Sequence, residues 1–162
     1  KSAAIQVVAD VRAFPSSARH PQYNRETLEE NLRKEGLFYI WLGRELGGYR
    51  REEEGLGPAS PNRGWRSGGF RVYADIMLTE AFGHAVDRLL GTAARSVTAI
   101  LCAEKFYWRC HRLLISDYLL ARGHEVRHII DRNRIRNHRL TRFARIRDGI
   151  LTYPPEETLE KA

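Results

Sequence analysis

Two short stretches of this sequence carry side chains able to do chemistry together. Cys102-Ala103-Glu104 supplies a thiol and a carboxylate, and Cys110-His111-Arg112 supplies a thiol, an imidazole and a guanidinium, with Arg109 just before. A thiolate is a nucleophile, and a nearby carboxylate or imidazole can move the accompanying protons. Cys102, Glu104, His111 and Asp10 are the candidate catalytic groups. Arginines clamp anionic groups through forked hydrogen bonds. Two other chemistries fit the spacing less well. Cysteine-dependent phosphatases set five residues between Cys and Arg around a glycine-lined cradle. Here six residues separate Cys102 from Arg109, and Lys105-Phe106-Tyr107-Trp108 holds no glycine. A metal site could draw on Cys102, Cys110, His111, His124 and His128, but the doubled CxxC spacing of structural zinc is absent, so no metal is assigned. Each residue also has a plain structural role open to it: Cys102 as core filler, Glu104 in an ion network, His111 on a helix surface.

These groups need elements to hold them. Ile5–Arg12 reads as a buried strand that turns polar at its C-terminal end, and Phe14-Pro15 stops it. Residues 24–35 read as a helix with Asn24 as N-cap candidate and Gly36 as its stop. Leu37–Leu42 is a second strand. From Gly43 to Gly69 regular structure fades into glycines, prolines and an Arg/Glu cluster, and loops this long tend to be functional or mobile. Gly69–Met77 and Thr79–Ala93 are helices, the second with Phe82, Val86, Leu89 and Leu90 on one face. Ser96–Leu101 is the clearest central strand, ending in Cys102 and Glu104. Cys110–Arg122 is a helix stopped by Gly123, and Glu125–Ile130 is a last strand. This order predicts an α/β fold with an open, mostly parallel sheet and helices on both faces. Ligands of such sheets bind beyond the strands' carboxyl ends. If the first and third strands are neighbours, Asp10, Arg12, Cys102 and Glu104 share one crevice. A helix starting near Cys110 would add its N-terminal field, which favours anions and lowers a thiol's pKa.

Composition narrows the setting. The 162 residues are 43% apolar, enough for one cored domain. No apolar run approaches the roughly 20 residues of a membrane span, and no secretory signal is visible at the start. Two cysteines make no disulfide framework, so a reducing, cytoplasmic setting is expected. A Cys102–Cys110 bridge would close a very short loop and would be redox-active rather than structural. Of the 27 basic residues 23 are arginine, and residues 127–147 hold eight of them against Asp131 alone. That segment carries the chain's whole net charge of +7. Domain boundaries are placed at 1–130 for the α/β domain and 131–162 for a basic extension. The extension's arginines fall all around a helical projection, so it is not a clean amphipathic helix. Tyr153-Pro-Pro-Glu-Glu looks like an extended, solvated terminus.

The motifs Asp10-Val-Arg12 with Phe14-Pro15-x-Ser17, Leu46-Gly-Gly-x-Arg50, Phe70-Arg-x-Tyr-Ala-Asp-x-Met77, Cys102-Ala-Glu104, Cys110-His-Arg112 and His128-Ile129 occur in this order. In them the chain resembles the widespread prokaryotic family known as domain of unknown function 488, over roughly residues 3–130. The resemblance implies a three-layer α/β domain with no established activity. It supports a site at the strand ends, with Arg12, Arg50, Arg71, Tyr73, Arg109, Cys110 and Arg112 as anion-binding candidates. It also implies a preceding strand and most of a helix that this sequence, which opens at Lys1, lacks. The basic stretch after residue 130 departs from the family pattern.

Two functions compete, and neither names a cofactor. One is an enzyme acting on a small anionic or nucleotide-like substrate. The other is a nucleic-acid-associated protein using residues 127–147, with Arg50, Arg51, Arg63 and Arg66 on the long loop. A third role for the tail is self-association through Ile135, Leu140, Phe143 and Ile146. No membrane partner is expected.

Overall fold

The computed structural model describes residues 4–155. Glu156 and Glu157 of the expected solvated terminus lie outside the described residues. The fold is mixed α/β, and the chain forms two compact units. The first is residues 1–48 with 83–105, the second residues 49–82 with 106–162.

The first unit is built on three parallel strands: β1 (Val7–Asp10), β2 (Phe38–Trp41) and β3 (Thr98–Leu101), in the order β2-β1-β3. Parallel neighbours cannot be joined by a tight turn. Helix α1 (Arg25–Lys34) makes the first crossover, and Gly36 ends that segment at φ +75°. Asn24 does not cap α1 with its side chain; its amide oxygen accepts the Ser17 N–H at 2.6 Å and ties down the preceding loop instead. Alternate residues Val7, Ala9 and Val11 are buried, with Leu42 and Leu46 in the same unit's core. The central strand is therefore β1. Ser96–Leu101, expected at the centre, stands at the edge of the described sheet, and β3 is only half-buried throughout. After β2 the chain enters the single turn α2 (Gly43–Leu46). A Cβ on Gly43 would stand 1.8 Å from the Arg12 carbonyl oxygen, so this approach to the end of β1 admits only glycine.

The second unit contains α3 (Gly68–Ile76) and, after the start of α4 (Glu80–Ala93), α5 (Arg112–Ala121). Thr79 Oγ1 accepts the Phe82 N–H at the start of α4. The long loop between α2 and α3 is pinned by buried Asp75 of α3. That carboxylate accepts Leu56 N–H at 2.9 Å, Ser60 Oγ–H at 2.6 Å and Asn62 Nδ2–H at 2.8 Å. Two antiparallel hairpins follow α5: β4 (Arg127–Asp131) with β5 (Arg134–Asn137), and β6 (Arg145–Arg147) with β7 (Ile150–Thr152). The last expected strand, 125–130, thus joins no parallel sheet. Its hydrogen-bonding partner lies a few residues further on, in the stretch whose arginines masked any strand pattern.

The expected solvated terminus is also corrected. Tyr153 is fully buried; its N–H reaches Asn62 Oδ1 at 2.9 Å, and its ring lies 5.2 Å from that of Trp65. Gly64 admits this return of the chain, since a Cβ there would meet the Pro154 carbonyl oxygen at 2.5 Å. Among the described residues no helix is long and apolar enough to cross a membrane.

Candidate functional site

In the first unit, register decides what the strand ends present. Asp10 pairs with Leu101, and the Val11 N–H bonds the Leu101 carbonyl at 3.0 Å. Asp10-Val11-Arg12 and Cys102-Ala103-Glu104 therefore leave neighbouring strands at the same edge. Asp10 is fully buried, and its carboxylate is taken up by donors from its own unit. The Arg12 backbone N–H (3.0 Å), Arg12 Nε (2.9 Å) and Nη2 (2.5 Å), and the Tyr39 hydroxyl (2.7 Å) all donate to it. Arg12 Nη1 donates to the Tyr23 carbonyl at 2.9 Å. The hydrogen bond to Asp10 raises the Arg12 guanidinium above its usual value against the opposing cost of burial. Burial, then the Asp10 hydrogen bond, raises the Tyr39 phenol. Asp10 and Arg12 are thus an internal ion pair. Cys102 is a half-buried free thiol, and Glu104 is exposed.

In the second unit, a 3-10 turn over Tyr107–Arg109 feeds α5. The Cys110 N–H closes that turn on the Tyr107 carbonyl at 3.2 Å. Cys110 is a buried free thiol with three nitrogens about its sulfur. The Arg112 backbone N–H and Arg112 Nε both donate to Sγ at 3.5 Å, and His111 Nδ1 lies at 3.5 Å. His111 is buried, and the buried Tyr73 ring sits 5.3 Å from its own. This set favours a negative sulfur through a cation, a helix-start N–H and an adjacent base. Cys110 Sγ and His111 Nδ1, 3.5 Å apart, have metal-ligand chemistry. Of the remaining candidates, Arg50 lies 3.7 Å from Glu54, Arg71 is half-buried on α3, and Arg109 is exposed. So Tyr73, Cys110, His111 and Arg112 come together in this unit; Arg50 is drawn into a local ion pair.

A second polar cluster in this unit escaped the sequence reading. Asp117, fully buried, accepts the Thr141 N–H and His138 Nε2 on one oxygen and the Tyr153 hydroxyl on the other, each at 2.9 Å. His138 Nδ1 is 3.0 Å from His128 Nε2. The Tyr107 ring lies flat on His128, centroids 3.4 Å apart and planes 5° apart. Burial first, then the charges of His138, Arg112 and Arg136, push His128 down to about 4, with Asp117 opposing. Burial and Asp117 raise the Tyr153 phenol. The available signal was Ser116-Asp117, a polar pair inside the apolar run Leu113 to Leu120.

No curated protein and no solved structure matches the chain. The model of the family described as "Domain of unknown function DUF488" matches residues 1–119, which takes in both strand ends, the turn at Tyr107–Arg109 and most of α5. The motif resemblance and this match over most of the sequence agree: the chain belongs to the DUF488 family.

Proposed function

We propose that this protein acts on a small anionic substrate through a thiolate at Cys110. The observation that carries the reading is the set of three nitrogens at 3.5 Å from Cys110 Sγ. His111 takes the thiol proton, Arg112 stabilises the resulting charge, and the N-terminal field of α5 favours an anionic ligand. This shifts the nucleophile from Cys102 to Cys110, because the supporting groups surround the latter. Cys102 and Glu104, in the first unit, stay candidate catalytic groups in their own right, with Glu104 exposed for proton exchange. The test is alkylation of the full chain with iodoacetamide against pH, read site by site by mass spectrometry. Cys110 is expected to react with a midpoint well below the unperturbed thiol value of about 8.5, and Arg112→Gln to move that midpoint up. An inert Cys110, or a midpoint that ignores Arg112→Gln, rules the reading out. Cys102→Ser and Glu104→Gln, checked for folding, show whether either contributes.

A second reading rests on a separate observation. Seven of the eight arginines in 127–147 are exposed on or beside the two hairpins; Arg145 is half-buried and donates to the Ala144 carbonyl at 2.7 Å. A basic two-stranded ribbon fits the DNA major groove. The exposed Ile129–Ile135 pair on β4 and β5 offers apolar contact. Binding to a duplex DNA probe should then weaken with salt at a log–log slope near −0.9 per phosphate contact. Salt-independent binding, or none, excludes it.

A further inference from the structure

The turn that leads into Cys110 carries aromatic rings that the thiolate reading does not use. Phe106 and Trp108 lie stacked there, centroids 4.8 Å apart and planes 27° apart, and Tyr107 meets Trp108 at right angles at 5.1 Å. Tyr107 has a packing role, since its ring lies flat on His128. Trp108 is instead 44% exposed and Phe106 38% exposed. Tryptophan usually hides most of its surface, so a stacked ring held at the surface is open to a flat ligand. The next residue, Arg109, is exposed, and its guanidinium has no partner among the described residues. Arg112 is already directed at Cys110 Sγ, so Arg109 is the cation of this turn that can meet a ligand. Exposed aromatic rings beside a cation are the components of a base-stacking platform. Cys110 lies two residues beyond Trp108, a reach of at most about 7 Å along the chain. A flat ring at one end of so short a span and an anion at the other describe a nucleotide.

We propose that the anionic substrate of Cys110 is a nucleoside monophosphate, its base stacked on Trp108 and its phosphate held by Arg109. The inference rests on the thiolate reading for the anionic end of the substrate and names the other end. Charge complementarity selects this occupant, because an apolar peptide on the same rings would bring no counter-charge for Arg109. Stacking needs only a π face, so the platform accepts any base, and adenine is a fair probe.

The experiment titrates the full chain with AMP, with ribose 5-phosphate, which lacks the base, and with adenosine, which lacks the phosphate. Binding is read by tryptophan emission and by the rate at which iodoacetamide alkylates Cys110. AMP is expected to quench emission saturably, to slow Cys110 alkylation, and to bind at least about tenfold more tightly than either fragment, as one stacked base contributes. Trp108→Leu, an exposed change, should remove the quenching and bring AMP to the affinity of ribose 5-phosphate. Trp108→Phe keeps a stacking face and should keep most of the affinity. Arg109→Gln should weaken AMP and ribose 5-phosphate alike and leave adenosine unchanged. The proposal is overturned by the absence of saturable AMP binding, by equal affinity for AMP and ribose 5-phosphate, by AMP affinity indifferent to Trp108→Leu, or by AMP that binds without protecting Cys110. The thiolate reading fails on a different result, the alkylation midpoint of Cys110 with no nucleotide present.

Discussion

Replacing Asp117 tests how the C-terminal segment is held. In Asp117→Ala the hydrogen of His138 Nε2 and the Tyr153 hydroxyl lose their acceptor in the interior, while Thr141 is half-buried and can turn to water. Each buried orphan costs about 1–3 kcal/mol, and removing a buried charge gives some of that back. The net expectation is about 3–4 kcal/mol. Asp117→Asn differs for a geometric reason. Its amide oxygen can replace the oxygen that serves both His138 and Thr141, and its amide nitrogen can donate to the Tyr153 oxygen. That loss should be about 1 kcal/mol. Equilibrium unfolding in urea, followed by tryptophan emission, measures both. Trp65 reports directly, its ring lying 4.8 Å from Phe143 and 5.2 Å from Tyr153. Equal losses in the two variants, or an Asp117→Ala loss below about 1 kcal/mol, would show that Asp117 does not fasten residues 138–153.

Acid should weaken the fold through His128. The folded ring titrates near 4 against an ordinary 6.5, so the unfolded chain binds the extra proton in this window and stability falls as pH drops through it. The full difference corresponds to about 3 kcal/mol, which solvent screening cuts to about 1–2 kcal/mol; urea midpoints at pH 7.5 and 4.5 should converge in His128→Gln. In the first unit, Arg12→Ala strands a buried Asp10 with the Tyr39 hydroxyl as its remaining side-chain donor, and should cost about 3–5 kcal/mol by denaturant titration. Asp10→Asn with Arg12 intact should cost less; if it costs more, the pair is not what stabilises this edge. Gly43→Ala drives a methyl into the Arg12 carbonyl that accepts Trp41 Nε1 at 2.9 Å. A drop in Tm matching at least about 1–3 kcal/mol is expected, and an unchanged Tm would mean that the backbone there yields freely.

Much of the element list is local chemistry and was legible. Gly36 and Gly123, both at positive φ, end their segments where the residue pattern put the stops, and the apolar spacing of Phe82, Val86 and Leu89 marks the buried face of α4. The start of α5 was legible for the same reason, and with it the grouping of Cys110, His111 and Arg112. Strand pairing was not. An apolar run of four or five residues reads alike whether its neighbour is parallel or antiparallel, central or edge, so β1 at the centre and β4 in a hairpin had to come from hydrogen bonding across the chain. The bond from His138 to Asp117 spans 21 positions and that from Tyr153 spans 36. No sequence window joins such residues. By itself the sequence determined which segments could be helix or strand, because backbone preference and side-chain periodicity act over a few residues. Tertiary structure alone decided which polar groups are buried against each other, because excluding water from a carboxylate takes side chains from distant parts of the chain.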